Sequence, residues 1–223
     1  SSPSMLARTS TGETRWDRAV AEAHRLAAST AGEVAVATTG EGLIEGPTAD
    51  RALIDASLDR ITPTASEAIF WPRAAQSEEV HFITDGAINR PVVADIALHS
   101  VFEAAPNVAI TAFDVRRALK PDHAADAYLE IANYARSAQQ VRLQLTRGST
   151  AILDRTVPMG AGETLRQAIP LGHGPEASLR ARVDAKGNAL DIDDEAFGWI
   201  ERPRPLSLAI VGENTTWLTK FFE

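Results

Sequence analysis

The chain contains no cysteine. Disulfides, thiol catalysis and cysteine-ligated zinc are therefore excluded, although the compartment is not fixed by this. A basic excess is missing too: 22 Lys and Arg stand against 30 Asp and Glu, giving a net charge of −8. With a pI near 5.2 and no basic stripe, nucleic-acid binding is not expected. No apolar run approaches the roughly 20 residues that a membrane-spanning helix needs, and no signal peptide is visible. What remains is ordinary globular composition, 44% hydrophobic over 223 residues, enough for one large domain or two small ones.

The first hundred residues alternate between helical and strand patterns. Over 14–30, Trp16, Ala19, Val20, Ala23, Leu26 and Ala27 recur at the spacing of one buried helix face. Thr14 and Asp17 supply a capping box, and Gly32 a stop. The apolar, β-branched run 33–39 predicts a buried strand, with Leu43 and Ile44 as a short hairpin return. A second helix is predicted from Pro47-Thr48 to about Arg60, turning Leu53, Ile54, Leu58 and Ile61 inward. After a loop at 62–66 and a short helix at 66–75, strands are predicted at 80–84 and 97–102. This alternation argues for a parallel sheet, whose sites lie at the carboxyl ends of its strands.

Two short stretches carry the candidate chemistry. Ser2 and Ser4, one residue apart, can turn two hydroxyl oxygens to one side of a tight loop. Asp85, directly after the strand at 80–84, brings a carboxylate to a strand end. Magnesium favours such hard oxygen donors in octahedral geometry. Ser2-Pro3-Ser4-Met5 and Asp85-Gly86, in this order, resemble the metal-ion-dependent adhesion site of the von Willebrand factor A (VWA) domain.

That resemblance implies a Rossmann-like α/β domain over 1–105, lacking its first strand. It implies a Mg²⁺ (or Mn²⁺) site formed by Ser2, Ser4 and Asp85, with Thr64 as third-loop ligand and Ser66 as the alternative. The family's first-loop Asp would precede Ser1, so the chain is expected to be a fragment cut inside the motif and to bind metal weakly.

From Asn107 the period changes to two, and seven strands are predicted: 108–116, 127–134, 140–146, 151–157, 164–170, 178–183 and 195–201. Val141, Leu143 and Leu145 alternate with Arg142 and Gln144, and Leu179, Ala181 and Val183 with Arg180 and Arg182. Strands at this spacing predict an immunoglobulin-like sandwich over 106–202, without a disulfide. Residues 191–195 read as an acidic turn rather than a calcium loop. Beyond a linker at 203–205, the run 206–211 and the turn 212–217 predict the truncated βα unit of a third domain, 203–223.

The runs 107–116 and 131–134 are similar to the segment after the VWA domain in bacterial envelope proteins of the aerotolerance (Bat) type. The resemblance implies a cell-envelope protein anchored by membrane segments outside this chain, and an amidotransferase-like third domain. It implies a metal-dependent protein-binding module that captures a partner's exposed Asp or Glu. The alternative is a structural envelope subunit whose metal site is unused. An enzyme is not expected. Positions 83 and 87 are Ile and Ala, so the second acid of an aspartyl-phosphate mechanism is missing, and none of the five histidines shows ligand spacing.

Overall fold

The computed structural model describes residues 2–64, 79–86, 96–116, 125–172 and 177–200. A 3₁₀ turn at Pro3–Leu6 leads into helix α1 (Arg15–Ser29). The hairpin β1 (Val34–Thr38) and β2 (Gly42–Thr48) follows, then helix α2 (Arg51–Arg60). Next come β3 (Val80–Thr84) and β4 (Ile96–Ser100). Seven strands complete the described chain: β5 (Val108–Arg116), β6 (Asp126–Asn133), β7 (Gln139–Arg147), β8 (Thr150–Met159), β9 (Thr164–Pro170), β10 (Ala177–Ala185) and β11 (Glu195–Ile200).

Local chemistry explains both helices. The Thr14 hydroxyl accepts from the Asp17 amide while the Asp17 carboxylate accepts from the Thr14 amide, so the predicted capping box closes α1. Asp50 caps α2 through the amides of Ala52 and Leu53. The two helices pack with the hairpin around a small core of Ala27, Val36, Ile54 and Leu58.

The Rossmann-like α/β expectation is corrected here. Among the described residues, the strands before Val108 do not join into a doubly wound parallel sheet. β1 pairs antiparallel with β2, and β3 pairs parallel with β4 in a separate two-stranded sheet. The apolar run at 34–38 was compatible with either arrangement, and the turn at 39–41 returns the chain beside it as a hairpin. Eleven strands against two α-helices make the described fold mostly β. The predicted short helix at 66–75 and the truncated βα unit at 203–223 lie outside the described residues.

The second half is an immunoglobulin-like β-sandwich. One sheet runs β11-β10-β7-β8, the other β5-β6-β9, all antiparallel. Alternation builds its core. Val141, Leu143 and Leu145 on β7, Leu179, Ala181 and Val183 on β10, and Ala127, Leu129 and Ile131 on β6 are all at most 1% exposed. Each buried Val, Leu or Ile contributes about 1.5–3 kcal/mol, so these rows dominate the stability of this half. β11 packs on β5 at Gly198, where an added Cβ would lie 2.7 Å from Val115 Cγ2. Asn188 ties the sheets' lower turns together, accepting from the Val108 amide at 2.7 Å and donating to Val108 O and Leu190 O.

Candidate functional site

The 3₁₀ turn, the start of α1, the end of β3 and the segment after β4 converge on one guanidinium. Arg15, the first residue of α1, hands its Nη1 to Ser4 O and to Asp85 Oδ2, each at 3.3 Å. Its Nη2 donates to Glu103 O at 2.8 Å, and Cζ sits 4.9 Å from the Phe102 ring centroid, a cation–π contact. The Arg15 side chain is 12% exposed and that of Asp85 3%. Asp85 is held there because β3 ends at Thr84, itself buried, whose hydroxyl accepts the Gly86 amide.

A second layer surrounds this pair. Arg18 Nη1 meets Glu103 Oε2 at 2.7 Å, and the Ser10 amide donates to Glu103 Oε1. Ser10 first, and Arg18 after it, hold the Glu103 carboxyl down at about 2.

The four predicted ligands are placed as follows. The Ser2 and Ser4 hydroxyls do turn to one another, 2.7 Å apart, and share a hydrogen bond. Ser4 and Asp85 are brought together through Arg15. Thr64 lies past the end of α2 and is half-buried, and Ser66 lies outside the described residues. Among the described residues no three His, Asp or Glu side chains gather as a metal-holding cluster. Sequence reasoning missed Arg15. The signal was available: a long cationic side chain one residue after a helix cap, with an acid at a strand end.

The acidic turn at 191–195 is held by polar contacts. Asn107 Nδ2 donates to Asp193 at 2.8 Å, Asn188 Nδ2 to Asp194, and Arg8 pairs with exposed Asp191. Burial, then the neighbouring Asp193 and Asp191, pushes the Asp194 carboxyl up to about 7. A raised carboxyl means that the folded chain holds a proton the unfolded chain has lost, so its contribution to stability is greatest below about pH 4. That contribution is lost as pH rises through about 7. Asp194→Asn is therefore expected to raise stability at pH 8 by about 1 kcal/mol, after discounting for solvent screening, and to change little at pH 4. Urea unfolding at the two pH values checks this.

No protein-family model matches the chain, and no curated protein matches it. Among solved structures, the chain is similar to the CARDB domain of a Pyrococcus furiosus protein, crystallised in complex with di-metal ions. The identity is 12% and the TM-score 0.34, over 43% of this chain and 87% of that one. A likeness of that size assigns neither family nor function. The VWA resemblance is overturned by the architecture itself. The motif order matched, but the described residues form mostly antiparallel sheets, with one parallel pair and two α-helices, instead of that family's Rossmann-like sheet.

Proposed function

We propose that the chain is a non-enzymatic, protein-binding scaffold module, in which Arg15 takes the place that a divalent cation was expected to fill. The observation that carries this reading is the buried Arg15–Asp85 pair, with Ser4 O on the same guanidinium nitrogen. A guanidinium supplies positive charge and directed donors at once, so Asp85 is neutralised there without a metal. The Ser2, Ser4 and Asp85 cluster then joins the 3₁₀ turn to β3.

The binding surface we assign to the outer face of β11. Phe197 there is 70% exposed and Trp199 53%, and aromatic rings on an edge strand are favourable anchors for a partner. Arg180 stands opposite Phe197 in the register, with Arg182 two residues on. Both meet Glu195, Arg182 at only 3.7 Å, which leaves Arg182 suited to an incoming carboxylate. A partner presenting an exposed Asp or Glu beside an apolar residue fits this face. A cell-envelope location is part of this reading, and fractionation of cells making the protein tests it.

The role of Arg15 is tested by thermal melts of EDTA-treated protein with and without excess magnesium. A cation bound to the folded form alone raises the melting temperature once its concentration exceeds its Kd. Coincident melts are expected. A rise with magnesium that Asp85→Asn abolishes would restore a metal-dependent module.

A further inference from the structure

The histidines looked scattered in the sequence, yet two of them meet. In the parallel β3–β4 register, His81 lies opposite Ala97 and Ile83 opposite His99. Positions 81, 83, 97 and 99 therefore share one face, and the two imidazoles are diagonal neighbours on it. His81 Nδ1 and His99 Nε2 are 2.9 Å apart, with ring centroids at 5.1 Å and planes 50° apart.

The outer nitrogens decide what lies between them. His99 Nδ1 faces Glu22 Oε1 at 2.9 Å, and His81 Nε2 faces Glu79 Oε1 at 3.5 Å. A carboxylate accepts hydrogen bonds and does not donate them, so Nδ1 of His99 donates to Glu22 and its Nε2 is the lone pair that faces His81, while Glu79 stands at ion-pair distance from His81 Nε2. Arg25 also grips Glu22, its Nε on Oε2 at 2.7 Å and its Nη2 on Oε1 at 2.6 Å. His81 Nδ1 can donate its proton to that lone pair, or lose it so that one metal ion is held between the two nitrogens.

This is the arrangement in which metal-bound histidines are held: the ligating nitrogen inward, the other N–H on a carboxylate. We propose that His81 and His99 bind one divalent first-row transition ion of the zinc type, with Glu22 and Glu79 positioning the two rings. Imidazole nitrogen suits Zn²⁺, Ni²⁺ and Cu²⁺ and not the hard ions Mg²⁺ and Ca²⁺. With Zn–N bonds of about 2.0–2.1 Å in tetrahedral geometry, the two nitrogens need a separation of about 3.3 Å, an opening of a few tenths of an ångström. The rings have room for that, since the side chains of His81 and His99 are 28% and 23% exposed. The remaining coordination positions are open to water or to a partner's ligand. An open groove lined by Arg18, Glu22, His99 and Phe102 reaches the site from the α1 side. His24 makes no comparable site: its nitrogens face Asp55 at 2.8 Å and Asp59 at 3.0 Å, which favour its protonated form.

The test is calorimetric titration of the whole chain with zinc chloride, on wild type and on His81→Gln, His99→Gln, Glu22→Gln and His24→Gln. One equivalent is expected to bind the wild type, weakening as pH falls because the imidazoles must be unprotonated. His81→Gln and His99→Gln should each weaken binding at least tenfold, and Glu22→Gln by about tenfold. His24→Gln should leave it unchanged. Zinc-free melts check that each variant folds. Where one does not, the imidazole proton resonances of the wild type decide, those of His81 and His99 shifting with zinc and that of His24 remaining. No saturable binding by the wild type, binding as tight as the wild type's by His81→Gln or His99→Gln, or a zinc shift confined to other histidines overturns the proposal.

Discussion

Arg15→Met is expected to destabilise the first half of the chain by about 3 kcal/mol, the scale for breaking a buried ion pair from one side. Methionine keeps the unbranched stem and its packing, so the loss falls on the guanidinium. Three acceptors lose their donor together: Ser4 O, Asp85 Oδ2 and Glu103 O. The contact over the Phe102 ring goes with them. Of these acceptors the Asp85 carboxylate matters most, because its side chain is 3% exposed and water cannot replace the lost partner freely. Asp85→Asn removes the charge while keeping an acceptor, so Arg15→Met combined with Asp85→Asn should be less damaging than the sum of the two. A double-mutant cycle from urea unfolding reads that coupling, expected at about 1–3 kcal/mol for residues in direct contact. Strict additivity would show that the pair does not hold the site together.

Asn133→Leu is expected to cost the sandwich about 3 kcal/mol although it keeps the branched heavy-atom outline of the side chain. Asn133 is 1% exposed at the end of β6, and all its polar capacity is used. Its Nδ2 donates to Ser137 O at 3.1 Å, Met159 O at 3.3 Å and Gly160 O at 2.8 Å, and its Oδ1 accepts the Ala135 amide at 3.0 Å. One side chain thus fixes the β6–β7 connection against the end of β8. Leucine would leave a buried N–H without its acceptor and remove the donor from a buried carbonyl, each costing about 1–3 kcal/mol. Chemical denaturation measures the difference. A change as small as that of an exposed surface substitution would mean that the turn reorganises without penalty.

The sandwich was readable because a half-buried antiparallel strand writes its inward face at every second residue. The spans of β5 and β9 match the prediction, and the other five strands shift by one or two residues at their ends. The α1 cap was readable for a similar reason, since Thr14 and Asp17 are three apart and local. What failed were arrangements that depend on pairing. Val34–Thr38 was apolar enough for a central parallel strand, but its partner is the next strand, Gly42–Thr48, which contains Glu45, Gly46 and Pro47. Pro47 suggests a helix start by sequence, whereas it is the penultimate residue of the half-buried strand β2 and Asp50 supplies the cap.

The site shows the same division. Ser2 and Ser4 meet as local spacing suggested. Arg15 and Asp85 are 70 residues apart, and His81 and His99 are 18 apart. No periodic signal links either pair. The histidines share a face only once β3 and β4 run parallel in one particular register, and a shift of one residue would turn His99 to the other side.

Arg15 and Asp85 hold each other where a metal ion was expected. Nuclear magnetic resonance of the Asp85 carboxyl carbon and the Arg15 guanidinium nitrogens during titration with magnesium tests this pairing most directly. Both sets of resonances are expected to stay where they are up to millimolar magnesium, and the Arg15 side-chain protons to remain protected from exchange. A saturable shift of the Asp85 carboxyl, with simultaneous release of the Arg15 guanidinium to solvent, would contradict it and return the site to a metal.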